Sequence, residues 1–163
     1  MRIGIISDTH IPTRAKHLPP ALFDLLAGVE LILHAGDFVT MSVVEELETI
    51  APVEAVAGNM DPLELQRRFG RKKTLVLSGF RIGLIHGDIG TDRAKTPERA
   101  LQAFADDRVD AVIFGHSHQP FLRRENGILL FNPGSATDRR REPRTSCGLL
   151  TLGETIEARH IYL

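Results

Sequence analysis

Cysteine is almost missing from this chain: one residue in 163, Cys147, which excludes an internal disulfide framework and any multi-cysteine metal cluster. Excess charge of either sign is also missing. Twenty Lys and Arg stand against 21 Asp and Glu, for a formal net charge of −1. A protein that grips long nucleic acid carries a basic stripe, and no such partner is expected here. No apolar window approaches the length of a membrane span, so no membrane association is expected either. The apolar run in "MRIGIISD" is shorter than the core of a signal peptide and ends at an aspartate, which leads us to expect a cytoplasmic protein. Repeats, low-complexity tracts and linkers are lacking too. At this length a chain buries a proper core, and we expect a single domain over residues 1–163.

What is present reads first as alternating strands and helices. "RIGII" (2–6), "ELILHAGD" and "VEAVAGN" are apolar stretches of strand type. Between them lie "PPALFDLLAG" (19–28), with prolines at its start and glycine at its end, and the amphipathic "MSVVEELETI". That order is βαβαβ, which calls for parallel strands with right-handed crossovers. In the second half "KTLVLSG" and "FRIGLIHG" predict a hairpin, and "TPERALQAFADD" a helix with Thr96 as N-cap and Pro97 in its first turn. "VDAVIFG" predicts a buried strand, and "GILLFN", "CGLLTLG" and "TIEARHIYL" a run of antiparallel strands. The expectation is an α/β protein with a mixed sheet system, two sheets packed face to face.

The polar residues at the strand ends carry the chemistry. "ISDTH" places Asp8 and His10 just past the first strand, "HAGDF" places Asp37 past the second, and "AGNMD" places Asn59 past the third. "LIHGD" adds His86, and "FGHSHQP" adds His116 and His118. Residues two apart share a face of a strand, so both imidazoles of the HxH pair can turn toward one point where the strand ends. Each residue singly has an ordinary reading as a turn former, a helix cap or a satisfied core histidine. Their coincidence at every strand end does not, because open α/β sheets build their sites outside the carboxyl ends of the strands. His34, inside the second strand, is expected at most to support the ligands from behind.

Oxygen and imidazole donors without thiolate suit Mn, Fe, Zn, Ni or Co. Seven donors exceed the needs of one tetrahedral ion and match two ions sharing a carboxylate and a water. Two ions about 3.5–4 Å apart can clamp a phosphoryl group and activate that water. Two divalent ions, two aspartates and a hydroxide leave a net positive site for an anionic ester.

The ordered motifs "DTH", "GD", "GN-D", "HG" and "GHSH", with "NPGS" at 132–135, resemble the calcineurin-like metallophosphoesterases, in particular their small single-domain bacterial and archaeal phosphodiesterase branch. The motifs run from residue 8 to residue 135. The resemblance implies a four-layer αββα sandwich of two mixed β-sheets flanked by helices. It also implies a centre of two divalent ions, manganese the first choice, in which Asp8, His10 and His118 hold one ion, Asp37 bridges, and Asn59, His86 and His116 complete the other. The implied reaction is in-line attack of a metal-bridging hydroxide on a phosphate diester. Its substrate would be a small phosphate ester, a nucleotide among the candidates. A phosphomonoesterase with the same centre and a non-catalytic binding module of the same fold, such as the retromer subunit, are the alternatives.

Many phosphatases of the superfamily have histidine where this chain has Met60, and a thioether supplies no proton. Losing a general acid costs about 10²–10⁴-fold on poor leaving groups, which favours diesters with stabilised leaving groups. Asp61 is expected to orient the Asn59 loop. Of the arginines in "TDRRREPR", any of Arg139, Arg140, Arg141 and Arg144 could reach over the site toward a second phosphate, and a solvated loop is the plain alternative. "RRFGRKK" (67–73) is expected to face solvent or a second copy of the chain in a homo-oligomer.

Overall fold

The computed structural model describes residues 1–163. Alternate positions on each strand feed different apolar layers, three in all, and these separate four layers of helix and sheet. In β1 (Arg2–Ile6), Ile3 and Ile5 point one way and Ile6 the other. In β2 (Leu31–His34), Leu31 and Leu33 oppose Ile32. With β3 (Val53–Ala55) these strands pair in parallel, as the βαβαβ order requires. α1 (Pro20–Leu25) and α2 (Met41–Glu48) close the two crossovers and bury Leu22, Val43, Val44 and Leu47 against the outer face of the sheet. α3 (Leu63–Phe69), which the sequence reading omitted, joins that layer through Leu65 and Phe69.

The second sheet begins with the expected hairpin, β4 (Lys72–Leu77) and β5 (Phe80–Ile85). A short 3-10 turn (Arg93–Lys95) and α4 (Thr96–Gln102) follow, then β6 (Ala111–Ile113). Thr96 is not the N-cap: Lys95 holds that position, and the Thr96 hydroxyl donates to the Arg93 carbonyl instead. The preceding 3-10 turn moves the helix start one residue upstream. β7 (Pro120–Glu125) was also unforeseen and pairs antiparallel with β8 (Ile128–Pro133).

The expected antiparallel run is divided between the sheets. β8 lies parallel to β6, whereas β9 (Ser146–Leu152) crosses over to pair antiparallel with β1, and β10 (Ile156–Tyr162) pairs with β9. The strand orders are therefore β10-β9-β1-β2-β3 and β4-β5-β6-β8-β7. Ile3, Ile5, Leu33 and Leu150 of one sheet pack against Ile82, Leu84, Ile113 and Phe131 of the other. Val112 and Leu130, on the far face of the second sheet, pack against Phe104 and Ala100. The result is the αββα sandwich of two mixed sheets, with apolar layers worth about 1.5–3 kcal/mol per fully buried large side chain.

The basic stretch 67–73 forms the end of α3 and the start of β4, where Arg71, Lys72 and Lys73 are paired with Asp88, Asp107 and Glu54 of this same chain. No helix is long and apolar enough to cross a membrane.

Candidate metal centre

The carboxyl ends of β1, β2, β5 and β6 lie side by side in the two sheets, and the residues that follow them converge. The chain has to turn sharply at each end. Asp8, His10, Asp37, His116 and His118 all take positive φ, between 46° and 69°, and Val39 does so at 74°. For a side chain with a Cβ such a conformation costs of order 1–3 kcal/mol, and for β-branched valine it is a true outlier. Five of the seven residues singled out in the sequence thus sit on strained backbone, concentrated at one spot.

Four of the ligand candidates, Asp8, Asp37, His86 and His118, are each held by one polar atom and aim another at the centre. Asp8 Oδ2 accepts from the Ser7 hydroxyl at 2.6 Å and the His116 N–H at 2.9 Å. Its Oδ1 is buried without a hydrogen-bond partner, 3.3 Å from His118 Nε2, 3.8 Å from His10 Nε2 and 3.9 Å from His86 Nε2. Asp37 Oδ1 accepts from the Met60 N–H at 2.8 Å, while Oδ2 lies 3.1 Å from His86 Nε2 and 3.7 Å from His10 Nε2. His86 Nδ1 and His118 Nδ1 face the carbonyls of Ala35 and Asp138, both at 2.7 Å. A carbonyl only accepts, so each Nδ1 carries a proton and each Nε2 faces inward, able to offer a lone pair to a cation that displaces any proton it holds. His86 Nε2 is the other buried polar atom without a partner.

Two donor sets result, Asp8 with His10 and His118, and Asp8 with Asp37 and His86. Asp8 is common to both, while Asp37, the bridge implied by resemblance, also reaches histidines of both. The Nε2 atoms of His10 and His118 approach to 3.1 Å, their rings stacked. His116 is half-buried, its ring 5.3 Å from that of His86. Asn59 is exposed, and what the structure ties into the cluster from its loop is the backbone on either side of it.

Electrostatically the cluster lacks positive charge. Burial pushes Asp8 up, but the imidazoles of His10 and His118 beside it and the charges of His86 and His118 outweigh it and hold the carboxyl well below its usual range. Burial would lower His86, yet Asp37 and Asp8 raise it to about 9. His116, by contrast, is lowered by burial and by the neighbouring His86. The proton on His86 supplies part of what a cation would supply more fully. Two orphaned buried atoms, two carboxylates and inward-facing imidazole nitrogens fit divalent ions with O and N preference.

Behind these groups Asp61 does what was expected of it. Its carboxylate accepts three backbone N–H groups, from Asp37 at 2.8 Å, Val39 at 2.6 Å and Gly58 at 2.7 Å, and so sets the Asp37 turn and the Asn59 loop together. "NPGS" braces the site from the other sheet. Asn132 Nδ2 donates to the Gly115 carbonyl at 2.8 Å, and the Ser135 hydroxyl donates to the Asp8 carbonyl at 2.7 Å, which joins the first and last motifs. Gly115 and Gly58 admit the carboxylates: an added Cβ would stand 2.6 Å from Asp8 Oδ2 at the one and 2.1 Å from Asp37 Oδ1 at the other. The sequence analysis did not single out Ser7, whose hydroxyl holds Asp8 Oδ2, or the role of Asp138, whose carbonyl faces His118 Nδ1; it quoted Asn132 and Ser135 within "NPGS" without these bonds, which run to backbone carbonyls and leave no spacing signature. His34 is a neutral core histidine and touches Thr9 and the Gly36 N–H rather than a ligand. Arg139, Arg140 and Arg141 line a cavity beside His118, whereas Arg144 is turned away onto the carbonyls of Tyr162 and Leu163.

Comparison with known proteins places the chain in a family. The family model described as "Calcineurin-like phosphoesterase superfamily domain" matches residues 1–155. A Methanothermobacter thermautotrophicus protein named "Probable metallophosphoesterase" is 43% identical over 164 residues, covering 97% of this chain and 90% of its own. A phosphodiesterase of Methanocaldococcus jannaschii is 27% identical over 167 residues, covering 93% and 87%. Among solved structures, Vps29 of Chaetomium thermophilum superimposes with a TM-score of 0.81 at 22% identity, over 100% of this chain and 97% of that one, a likeness of fold.

Proposed function

The chain belongs to the calcineurin-like phosphoesterase superfamily, and from that premise we propose that it is a metal-dependent phosphodiesterase acting on a small phosphate ester. The observation that carries the reading is the pair of buried, unpartnered atoms, Asp8 Oδ1 and His86 Nε2, 3.9 Å apart where the two donor sets share Asp8. Asp8, His10 and His118 would hold one divalent ion and His86, His116 and Asn59 the other, with Asp37 shared between them, Mn the first choice and Ni, Fe, Zn or Co accepted by the same donors. Bound there, such ions would supply charge to stabilise phosphoryl oxygens and to make a water more acidic and hence nucleophilic.

The chain's own residues do the rest. The carbonyls of Ala35 and Asp138 fix the tautomers of His86 and His118. Asp61, through three backbone N–H groups, holds Asp37 in its strained turn. No general acid stands at Met60, whose side chain is exposed. This favours diesters with good leaving groups over protein phosphomonoesters, and the diesterase relative is consistent with that preference.

The test is hydrolysis of bis(p-nitrophenyl) phosphate and p-nitrophenyl phosphate by chelator-stripped protein with Mn, Ni, Zn and Mg restored singly, beside Asp37→Ala. Metal-dependent cleavage favouring the diester and abolished by the substitution is expected. Preference for the monoester moves the assignment to a phosphatase. No turnover with ions bound moves it to a binding module.

A further inference from the structure

Beside the metal centre lies a cavity of about 830 Å³ whose walls carry five guanidinium groups, from Arg14, Arg93, Arg139, Arg140 and Arg141. Only the carboxylates of Asp138 and Glu142 oppose them, which leaves an excess of three positive charges in a chain whose total is −1. Crowding like charge around a concavity is unfavourable until an anion enters it. The arginines differ in what holds them. Arg14 and Arg140 are anchored to Asp138, at 3.5 Å and 3.8 Å, and Arg139 donates to the Glu142 carbonyl at 2.7 Å. Arg93 and Arg141 are exposed, and their guanidiniums engage no group of the protein.

Asp138 also ties this cavity to the chemistry. Its carbonyl fixes His118 at 2.7 Å, and its carboxylate anchors two of the arginines. His118 itself lines the cavity. The positive wall is therefore held at a set position beside one donor set of the metal centre. The lining contains one apolar residue, Ala94, and no Phe, Tyr or Trp, so a nucleobase would find no large aromatic platform, only the His118 ring and guanidinium planes that phosphate oxygens also claim. Planar guanidiniums match phosphate oxygens two at a time, and the volume suits ligands larger than one phosphate, within the range of roughly 300–1,000 Å³ usual for small-molecule sites.

We propose that this cavity is a subsite for a further phosphate group of the substrate, so that the substrate class is an ester bearing a chain of two or more phosphoryl groups with one of them at the metal centre. The inference rests on the phosphoesterase reading for its placement and on the arginines for its ligand. Recognition is of the phosphate chain, and the organic part contributes little.

The experiment is isothermal titration of the full-length protein, metal-loaded and in parallel chelator-stripped, with inorganic tripolyphosphate, pyrophosphate, orthophosphate and ADP. Arg93→Ala combined with Arg141→Ala removes the two unanchored guanidiniums. Arg67→Ala combined with Arg108→Ala removes equal charge elsewhere on the surface. Stripped protein is included because phosphate chains also chelate metal. Tripolyphosphate should bind at least tenfold tighter than orthophosphate, lose at least tenfold in the Arg93/Arg141 variant, and keep its affinity in the Arg67/Arg108 variant. ADP and pyrophosphate should agree within about threefold. Equal weakening by both double variants, no weakening by the first, or a large advantage for ADP overturns the proposal. Bis(p-nitrophenyl) phosphate turnover by the wild type, measured alongside, separates the two readings: turnover without chain binding sinks the subsite alone, and chain binding without turnover sinks the diesterase alone.

Discussion

Acid should unfold this protein in part through one residue outside the donor sets, His34. Its ring is fully buried in β2, where Nδ1 accepts the Gly36 N–H at 3.2 Å and Nε2 faces the Thr9 hydroxyl at 3.2 Å. A backbone N–H can only donate, so Nδ1 must stay unprotonated and the imidazole neutral. Burial lowers the ring from 6.5 to about 3. In the unfolded chain it titrates normally, so the unfolded state binds more protons whenever the pH lies below 6.5. The sign follows: the contribution is fully present above pH 6.5 and is lost as pH falls toward 3. At about 1.4 kcal/mol per unit, the loss is ~2 kcal/mol by pH 5 and up to ~5 kcal/mol at pH 3. Urea unfolding of chelator-treated protein between pH 7 and pH 5, compared with His34→Gln, isolates the effect. The variant is less stable throughout, but its stability should fall by ~2 kcal/mol less over that interval. Parallel pH profiles for the two proteins would refute the argument, because every other histidine is shared between them.

The remaining predictions concern the supports of the centre. Asp61→Asn places an amide NH₂ against backbone N–H groups that now donate to a carboxylate; it should cost about 1–3 kcal/mol for each N–H left unpaired and weaken metal binding, read by thermal unfolding and by metal titration. Gly115→Ala sets a methyl 1.9 Å from Ser7 Oγ and 2.6 Å from Asp8 Oδ2 and should abolish stoichiometric metal content. Gly153→Ala, with open space at its Cβ, should stay within about 0.5 kcal/mol of wild type and keep its metal. Met60→His should raise the rate on a phenyl diester more than on the p-nitrophenyl diester, because only the poorer leaving group gains from a proton donor. An equal change on both would show that the position does not serve the leaving oxygen.

Spacing along the chain determined a good deal here. Strand-type runs of Ile, Val and Leu ending in Asp, His or Asn located β1, β2, β5 and β6 and the ligand candidates after them, because parallel strands place their carboxyl ends together whatever the loops do. β7 and α3 escaped. "PFLRRE" is half-exposed throughout, and "LELQRRF" buries little besides Leu65, so neither carries a clear period of two or of 3.6. Residue types alone could not have shown that β8 and β9 part company to opposite sheets, since both read as apolar strands and pairing partners are chosen by long-range packing. Likewise an arginine run reads as a solvated loop until the fold sets Arg14 and Arg93, distant in sequence, opposite residues 139–141. What the tertiary structure alone decided was orientation: one oxygen of Asp8 pinned and the other left facing three imidazoles, at a cost in strained φ that only the surrounding hydrogen bonds sustain. Composition names the atoms available to a site, but their direction depends on backbone angles and carbonyls contributed from across the chain.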